Sequence, residues 1–295
     1  MKKLIVLLML ICSAALLVPT AMADFDPATT ALLQAFPGDG TFTEHDVEFT
    51  KDSDGITLRG TMLIPDDVEG PLPFVILSHG FNSSRNSCAK LAYAFGKNGI
   101  ASVRFDFGGS GASGGKSNKM SVLTEVDDLK AIIAYVRSLE IADVDHIFLL
   151  GNSMGGLVTA LTTLEVQDQI CAVMMNYPAL PLADSVRAGH LMAVNFDPNN
   201  IPKVLRPDGF AIGRMFVTDI IDLDFYADLD KITVDVLLMH GDQDDMVPIS
   251  SSDRAAELIP NCTYIVMPGG GHGFEGEQLV QQAELNVNFV KDHLM

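Results

Sequence analysis

The chain has 295 residues, with 19 Lys and Arg against 38 Asp and Glu, a formal charge of −19. Its hydrophobic share of 48% against 19% charged residues supplies a large buried core and excludes a disordered chain. The acidic balance argues against a nucleic-acid partner, which needs clustered Lys and Arg, and four Cys are too few for a disulfide scaffold.

In chain order, Lys2 and Lys3 precede a mostly apolar run from Leu4 to Val18. Pro19 breaks the run, and Ala21-Met22-Ala23 fits a small-x-small cleavage site. The run is shorter than the roughly 20 residues of a membrane span. Residues 1–23 therefore read as a signal peptide cleaved near Ala23, and the protein as exported, periplasmic or secreted, meeting a membrane only during export. Ile11 stands before Cys12 where a lipoprotein needs a small residue. Export implies an oxidising compartment. Cys88, Cys171 and Cys262 remain, enough for one disulfide at most, and Cys171, in an apolar run, reads as a small buried hydrophobe.

The mature chain, residues 24–295, shows no internal repeat. Residues 44–50 and 56–64 predict two strands around the turn signal Asp54-Gly55. Then come a strand at Phe74–Leu77, a helix over 86–97 and a strand at Ile100–Phe105. Val122, Val126, Leu129, Ile133 and Val136 form one face of a helix over 121–139. A strand at Ile147–Leu150, a helix over 154–167 and a strand at Ala172–Met175 follow. The chain ends with a strand at Val234–Met239, a helix over 251–258, a strand at Tyr264–Met267 and a helix over 277–293. Apolar strands alternating with helices predict the α/β class, with a mostly parallel sheet covered on both faces, in one domain. Residues 181–233 break the rhythm. This long insertion, with several Pro and many Phe, Met and Asp, predicts a cap over the sheet edge.

Gly151-Asn152-Ser153-Met154-Gly155 follows a strand and opens a helix, the context of a nucleophile elbow. The tight turn lifts the Ser153 hydroxyl from the sheet edge, and the helix N-terminus supplies a positive dipole. A serine nucleophile needs a base and an orienting acid, in this topology in the order Ser, acid, His. Asp242, Asp244 and Asp245 follow one late strand, and His272 follows the next on Gly269-Gly270-Gly271. All reach the sheet's C-terminal edge, where open α/β sheets bind ligands. Two backbone N–H groups should hold an oxyanion, one from Met154 and one from Phe81 in the loop Ser78-His79-Gly80-Phe81-Asn82. His79 reads as a structural support of that loop.

These motifs, with Arg104-Phe105-Asp106-Phe107-Gly108-Gly109-Ser110-Gly111, Gly241-Asp242-Gln243-Asp244-Asp245-Met246-Val247-Pro248 and Gly270-Gly271-His272-Gly273-Phe274, resemble the α/β-hydrolase serine enzymes from about residue 44 to the end. Within that family the chain is most similar to the bacterial feruloyl (cinnamoyl) esterases, whose oxyanion loop also reads His-Gly-Phe and whose cap lies between the same two strands. The resemblance places the acid three residues after Gly241, at Asp244, and leaves Asp242 to shape the turn. It implies an α/β-hydrolase fold, Ser153, Asp244 and His272 as catalytic residues, and ester cleavage by acyl transfer with neither cofactor nor metal.

Ser110 to Ser117 ends like a phosphate-binding loop but lacks its first Gly and its leading strand. Seven scattered His show no zinc spacing. Asp222, Asp224, Asp228 and Asp230 lack the Gly and Glu of a calcium loop and read as a solvated face. The expected partner is a small-molecule or polysaccharide-linked ester. The net charge predicts a preference for neutral esters through long-range repulsion. A serine aminopeptidase on the same fold and a noncatalytic binding protein are the alternatives. Oligomeric state is not legible in the sequence.

Overall fold

The computed structural model describes residues 27–66 and 68–295; the expected signal peptide, its cleavage site at Ala23 and Cys12 lie outside the described residues. The chain begins with α1 (Pro27–Ala35), a helix not anticipated from the sequence. The hairpin β1 (Phe42–Thr50) and β2 (Thr57–Pro65) follows. Its turn is closed by the Gly55 N–H donating to the Lys51 carbonyl and the Ile56 N–H donating to Asp54 Oδ1, with Gly55 at φ +70°. Only Gly adopts that backbone without strain.

Next come β3 (Leu72–Ser78), a 3₁₀ turn at Arg85–Cys88, α2 (Ala89–Gly96), β4 (Ala101–Asp106), a 3₁₀ turn at Ser117–Lys119, and α3 (Val122–Arg137). Then follow β5 (Ala142–Asn152), α4 (Met154–Val166) and β6 (Ala172–Asn176). The insertion contributes α5 (Leu182–Arg187), β7 (His190–Leu191), β8 (Val194–Asn195), β9 (Val204–Leu205), β10 (Ile212–Gly213) and α6 (Met215–Thr218). The chain closes with β11 (Asp235–Gly241), α7 (Ser250–Leu258), β12 (Cys262–Met267) and α8 (Gly276–Asp292).

Eight strands form one sheet in the order β1-β2-β4-β3-β5-β6-β11-β12. Only β2 runs against the others. Each inner strand feeds two cores. Phe74, Ile76, Ile147 and Leu149 face one core, with α3 and α4, while Val75, Leu77, Phe148 and Leu150 face the other, with α2 and α8. With both faces apolar, the period of two disappears from the sequence, and these strands read as continuous hydrophobic runs.

The insertion shares the first core. Leu191, Leu205, Ile212, Phe216, Val217 and Ile220 are buried in it. Polar ties fasten it to the body: Ser121 Oγ, the N-cap of α3, donates to Asp219 Oδ2 at 2.7 Å, and Ser117 Oγ to the Ala211 carbonyl at 2.7 Å. Asp224 and Asp228 serve local structure, accepting from the Tyr226 N–H and from Lys231.

Cys88, Cys171 and Cys262 are all free thiols. Cys88 lies in the second core, whereas Cys171 and Cys262 are separated by β11, which lies between their strands. Two inter-strand spacings, roughly 9–10 Å, exceed the reach of a disulfide. Cys171 is only half-buried, less than its apolar neighbours suggested, because it precedes β6 at the sheet's lower rim.

The core also holds charge. Lys51 Nζ lies 2.5 Å from Asp128 Oδ1, and the Gly108 N–H donates to Asp128 Oδ2 at 2.6 Å. One turn earlier on α3, Glu125 is fully buried and neither carboxyl oxygen has a hydrogen-bond partner. Burial, then the nearby Asp128 charge, push its pKa well above the usual value. A carboxyl protonated in the folded chain adds stability that is fully present below its unfolded pKa and is withdrawn as pH rises toward its folded pKa. Each pH unit in that window costs up to about 1.4 kcal/mol. Glu125→Gln should therefore be more stable than the parent at pH 8 and should lose less stability between pH 5 and pH 8, as read from urea unfolding midpoints.

Candidate active site

Ser153 sits between β5 and α4 with φ +54° and ψ −118°, a backbone region that non-glycine residues rarely enter. Crowding around it explains the flanking glycines. A Cβ at residue 151 would lie 2.1 Å from the Gly155 carbonyl oxygen, and one at residue 155 would lie 2.4 Å from that of Ser78. The Ser153 N–H donates to the Asn176 carbonyl at 2.9 Å, and the Ala179 N–H donates to the Ser153 carbonyl at 3.0 Å.

His272 and Asp244 arrive from the loops after β12 and β11. His272 Nδ1–H donates to Asp244 Oδ2 at 2.8 Å, which leaves Nε2 to accept from the Ser153 hydroxyl at 2.8 Å. The Asp244 carboxylate is buried, and its Oδ1 accepts the N–H groups of Met246 and Val247, both at 2.9 Å. Burial alone would raise its pKa; the Val247 N–H, His272 and the Met246 N–H outweigh burial and hold it below the ordinary carboxylate value. Asp244 is therefore ionised throughout the neutral range. Asp242 and Asp245 are exposed, and Asp242 Oδ1 accepts the Gly269 N–H at 2.7 Å, fastening the loop that carries His272.

A second imidazole touches the same carboxylate. His240, fully buried at the end of β11, has Nε2 at 3.2 Å from Asp244 Oδ2 and 3.0 Å from the Val247 carbonyl. Burial lowers its pKa, so it is neutral. Nε2 then carries the proton, and Nδ1 accepts from the Ser252 hydroxyl at 2.7 Å. Tyr177, buried after β6, packs edge-on against the His272 ring at 4.9 Å and the Phe274 ring at 5.4 Å. Neither residue is visible as functional in the sequence: His240 ends an apolar strand, and Tyr177 only follows one.

The loop after β3 lies against Ser153: a Cβ at Gly80 would stand 3.3 Å from Ser153 Cβ. His79 holds this loop. It is buried, and burial lowers its pKa, so the ring is neutral; Nδ1–H donates to the Gly80 carbonyl at 2.7 Å, and Nε2 accepts the Phe107 N–H at 3.3 Å. Among the described residues, no acceptor takes the N–H of Phe81 or of Met154. The Phe81 ring meets Phe210 at 5.7 Å and Phe216 at 5.5 Å, so the insertion reaches the loop beside Ser153 with aromatic side chains.

The fold as a whole matches known structures. Est1E from Butyrivibrio proteoclasticus, solved with bound ferulic acid, superposes with a TM-score of 0.76 at 27% identity, over 82% of this chain and 98% of that one. The chain has the α/β-hydrolase fold. Residues 70–205 of the chain match the family described as serine aminopeptidase, S33. Its sequence is 27% identical over 259 residues to the quorum-quenching protein AidA of Acinetobacter baumannii, covering 73% of this chain and 84% of that protein. It is 34% identical over 106 residues to an uncharacterised 31.7 kDa protein of Escherichia coli, a match that spans 36% of that relative's length.

The three carboxylates after β11 differ in what they touch, and this separates their effects. Asp244→Asn should lower turnover by on the order of 10³–10⁴ with little change in unfolding temperature. Asp242→Asn should cost far less, through looser seating of the His272 loop, and Asp245→Asn almost nothing. Steady-state kinetics on the three variants checks the order.

Proposed function

We propose that the chain is a serine esterase that cleaves carboxylic esters by acyl transfer. The carrying observation is the continuous hydrogen-bond line Ser153–His272–Asp244 beside two unpaired backbone N–H groups. In this reading Ser153 Oγ attacks the ester carbonyl while His272 Nε2 takes its proton. The ionised Asp244 keeps the His272 tautomer and stabilises the imidazolium. The N–H groups of Phe81 and Met154 receive the oxyanion, helped by the dipole of α4. His272 returns the proton to the leaving alcohol. Water then attacks the acyl-enzyme by the same route, with His272 again as base.

We assign the acyl group to the aromatic class. Phe81, Phe210 and Phe216 form an edge-to-face cluster next to Ser153, which suits a planar ring such as a hydroxycinnamate. The likeness to Est1E with ferulic acid supports this choice. Residues 181–233 then act as the specificity-determining cap. The apolar run before Ala23 supports action after export, and the amino terminus of the exported protein should be Asp24.

Ser153→Ala should fold normally and lose on the order of 10⁴–10⁶ in turnover, and a fluorophosphonate should label Ser153 in the parent protein. Phe210→Ala should reduce kcat/KM for methyl ferulate about tenfold or more while leaving an aryl acetate nearly unaffected, because only the larger acyl group draws binding energy from the cap. Cleavage of aminoacyl anilides with no activity on any ester would move the assignment to a peptidase.

A further inference from the structure

Most basic side chains of this acidic chain are engaged. Lys51, Arg59, Arg85, Arg104, Lys130, Arg187 and Lys231 sit in ion pairs. Lys97 and Arg137 donate to backbone carbonyls, Lys291 donates to Asn98, and Arg254 lies over the Tyr226 ring. Among the described residues, the basic side chains without an ion pair, hydrogen bond or ring partner are Lys90 and one group: Lys116, Lys119, Lys203, Arg206 and Arg214, all exposed.

The fold gathers that group from two stretches of sequence. β9 pairs antiparallel with β10, and the Arg214 N–H donates to the Lys203 carbonyl at 3.1 Å, so Lys203 and Arg214 face each other across the hairpin. Arg206 follows β9 directly. The hairpin rests on the 3₁₀ turn at Ser117–Lys119, through the Ser117–Ala211 bond and through Gly213, where a Cβ would lie 2.2 Å from the Asn118 carbonyl oxygen. Lys116 and Lys119 flank that contact. Asp208 at the hairpin tip is the one acid within residues 198–218, and the next, Asp219, is held by Ser121. The same segment carries Phe210 and Phe216, which meet the Phe81 ring, so the cations stand on the stretch of chain that supplies the aromatic cluster.

We propose that this face binds the leaving alcohol of the substrate, and that this alcohol carries fixed negative charge, carboxylates above all. The proposal rests on the esterase reading above. Exposed, unpaired Arg and Lys on the insertion of an otherwise acidic chain can recognise carboxylates by charge-assisted hydrogen bonds. They also reverse locally the repulsion that a charge of −19 imposes on anions. The aromatic cluster selects the acyl side and the cationic face selects the alcohol side.

The test uses two probes. Caffeate release is followed from caffeoylquinate, whose alcohol carries one carboxylate, and from its methyl ester, which is neutral. At low ionic strength the parent protein should show a KM about three- to tenfold lower for the anion. The preference should vanish in 0.5 M salt, where screening reaches within a few ångströms. It should also vanish in Lys203→Gln/Arg206→Gln/Arg214→Gln, and should persist in Lys90→Gln. Separately, galacturonate trimer should inhibit aryl acetate hydrolysis competitively in the parent and not in the triple variant, with neutral galactose trimer inert in both. Equal KM values, or a preference retained in the triple variant, would overturn the proposal. If neither caffeoyl ester is cleaved, the trimer experiment alone decides, absence of inhibition overturning it. Loss of the broader esterase reading looks different: no Ser153-dependent hydrolysis of any ester, aryl acetate included.

Discussion

The left-handed backbone of Ser153 is the constraint on which the site depends. That conformation costs on the order of 1–3 kcal/mol and persists only where its surroundings over-determine it. Here the N–H is held by Asn176 on β6, the carbonyl accepts from Ala179 and from the first turn of α4, and the space on either side admits only glycine. One residue thereby locks two neighbouring strands, a helix and the start of the insertion together. Asn176 Nδ2 reinforces the joint by donating to Asn152 Oδ1 at 2.8 Å. In the proposed esterase, Ser153 is thus aimed before any substrate arrives, so binding energy is not spent on aiming it.

Charge is organised at three depths. Innermost, Asp244 is held ionised between two imidazoles, one facing Ser153 and one facing Ser252. Around the sheet, buried carboxylates such as Asp106 and Asp128 brace loops by accepting backbone N–H groups from Arg85, Ala112 and Gly108. Outermost, the chain is acidic in sum, and its unpaired exposed cations other than Lys90 gather at the hairpin of β9 and β10 and the turn beneath it. Net charge, a property of the whole chain, predicts the wrong sign for that hairpin, because the sum hides where unpaired charges gather.

Much of this was legible in the sequence, for physical reasons. Strands buried on both faces need apolar runs, so the inner strands fell within a few residues of their observed ends. The Gly-x-Ser-x-Gly turn has no packing alternative once backbone contacts near 2 Å surround it. The acid was harder. Asp242, Asp244 and Asp245 differ only in which way a tight turn points them, and a resemblance rather than spacing separated them. The insertion resisted most: its two-residue strands and short helices carry too little periodicity to be read, and are held by contacts with residues far away in the chain. α1 and His240 escaped for opposite reasons, α1 being too short for a clear pattern and His240 looking like an ordinary end to an apolar strand.

The insertion leaves the sheet after β6 and returns at β11, and these strands are immediate neighbours, paired from Asp235–Ala172 to Met239–Asn176. Because the two strands run parallel, its two ends are fixed at opposite edges of the sheet, about four residues of strand (roughly 13 Å) and one strand spacing apart, whatever lies between them. Closing a longer loop between fixed ends costs only about 0.6 kcal/mol per doubling of length. The segment can therefore be lengthened, shortened or exchanged at small cost to the sheet, provided its own apolar face still covers the first core. In the proposed esterase, selection can then act on acyl and alcohol recognition in a module whose variation leaves the geometry of Ser153, His272 and Asp244 in place. Such a scaffold changes substrate by replacing its roof, with the foundations undisturbed.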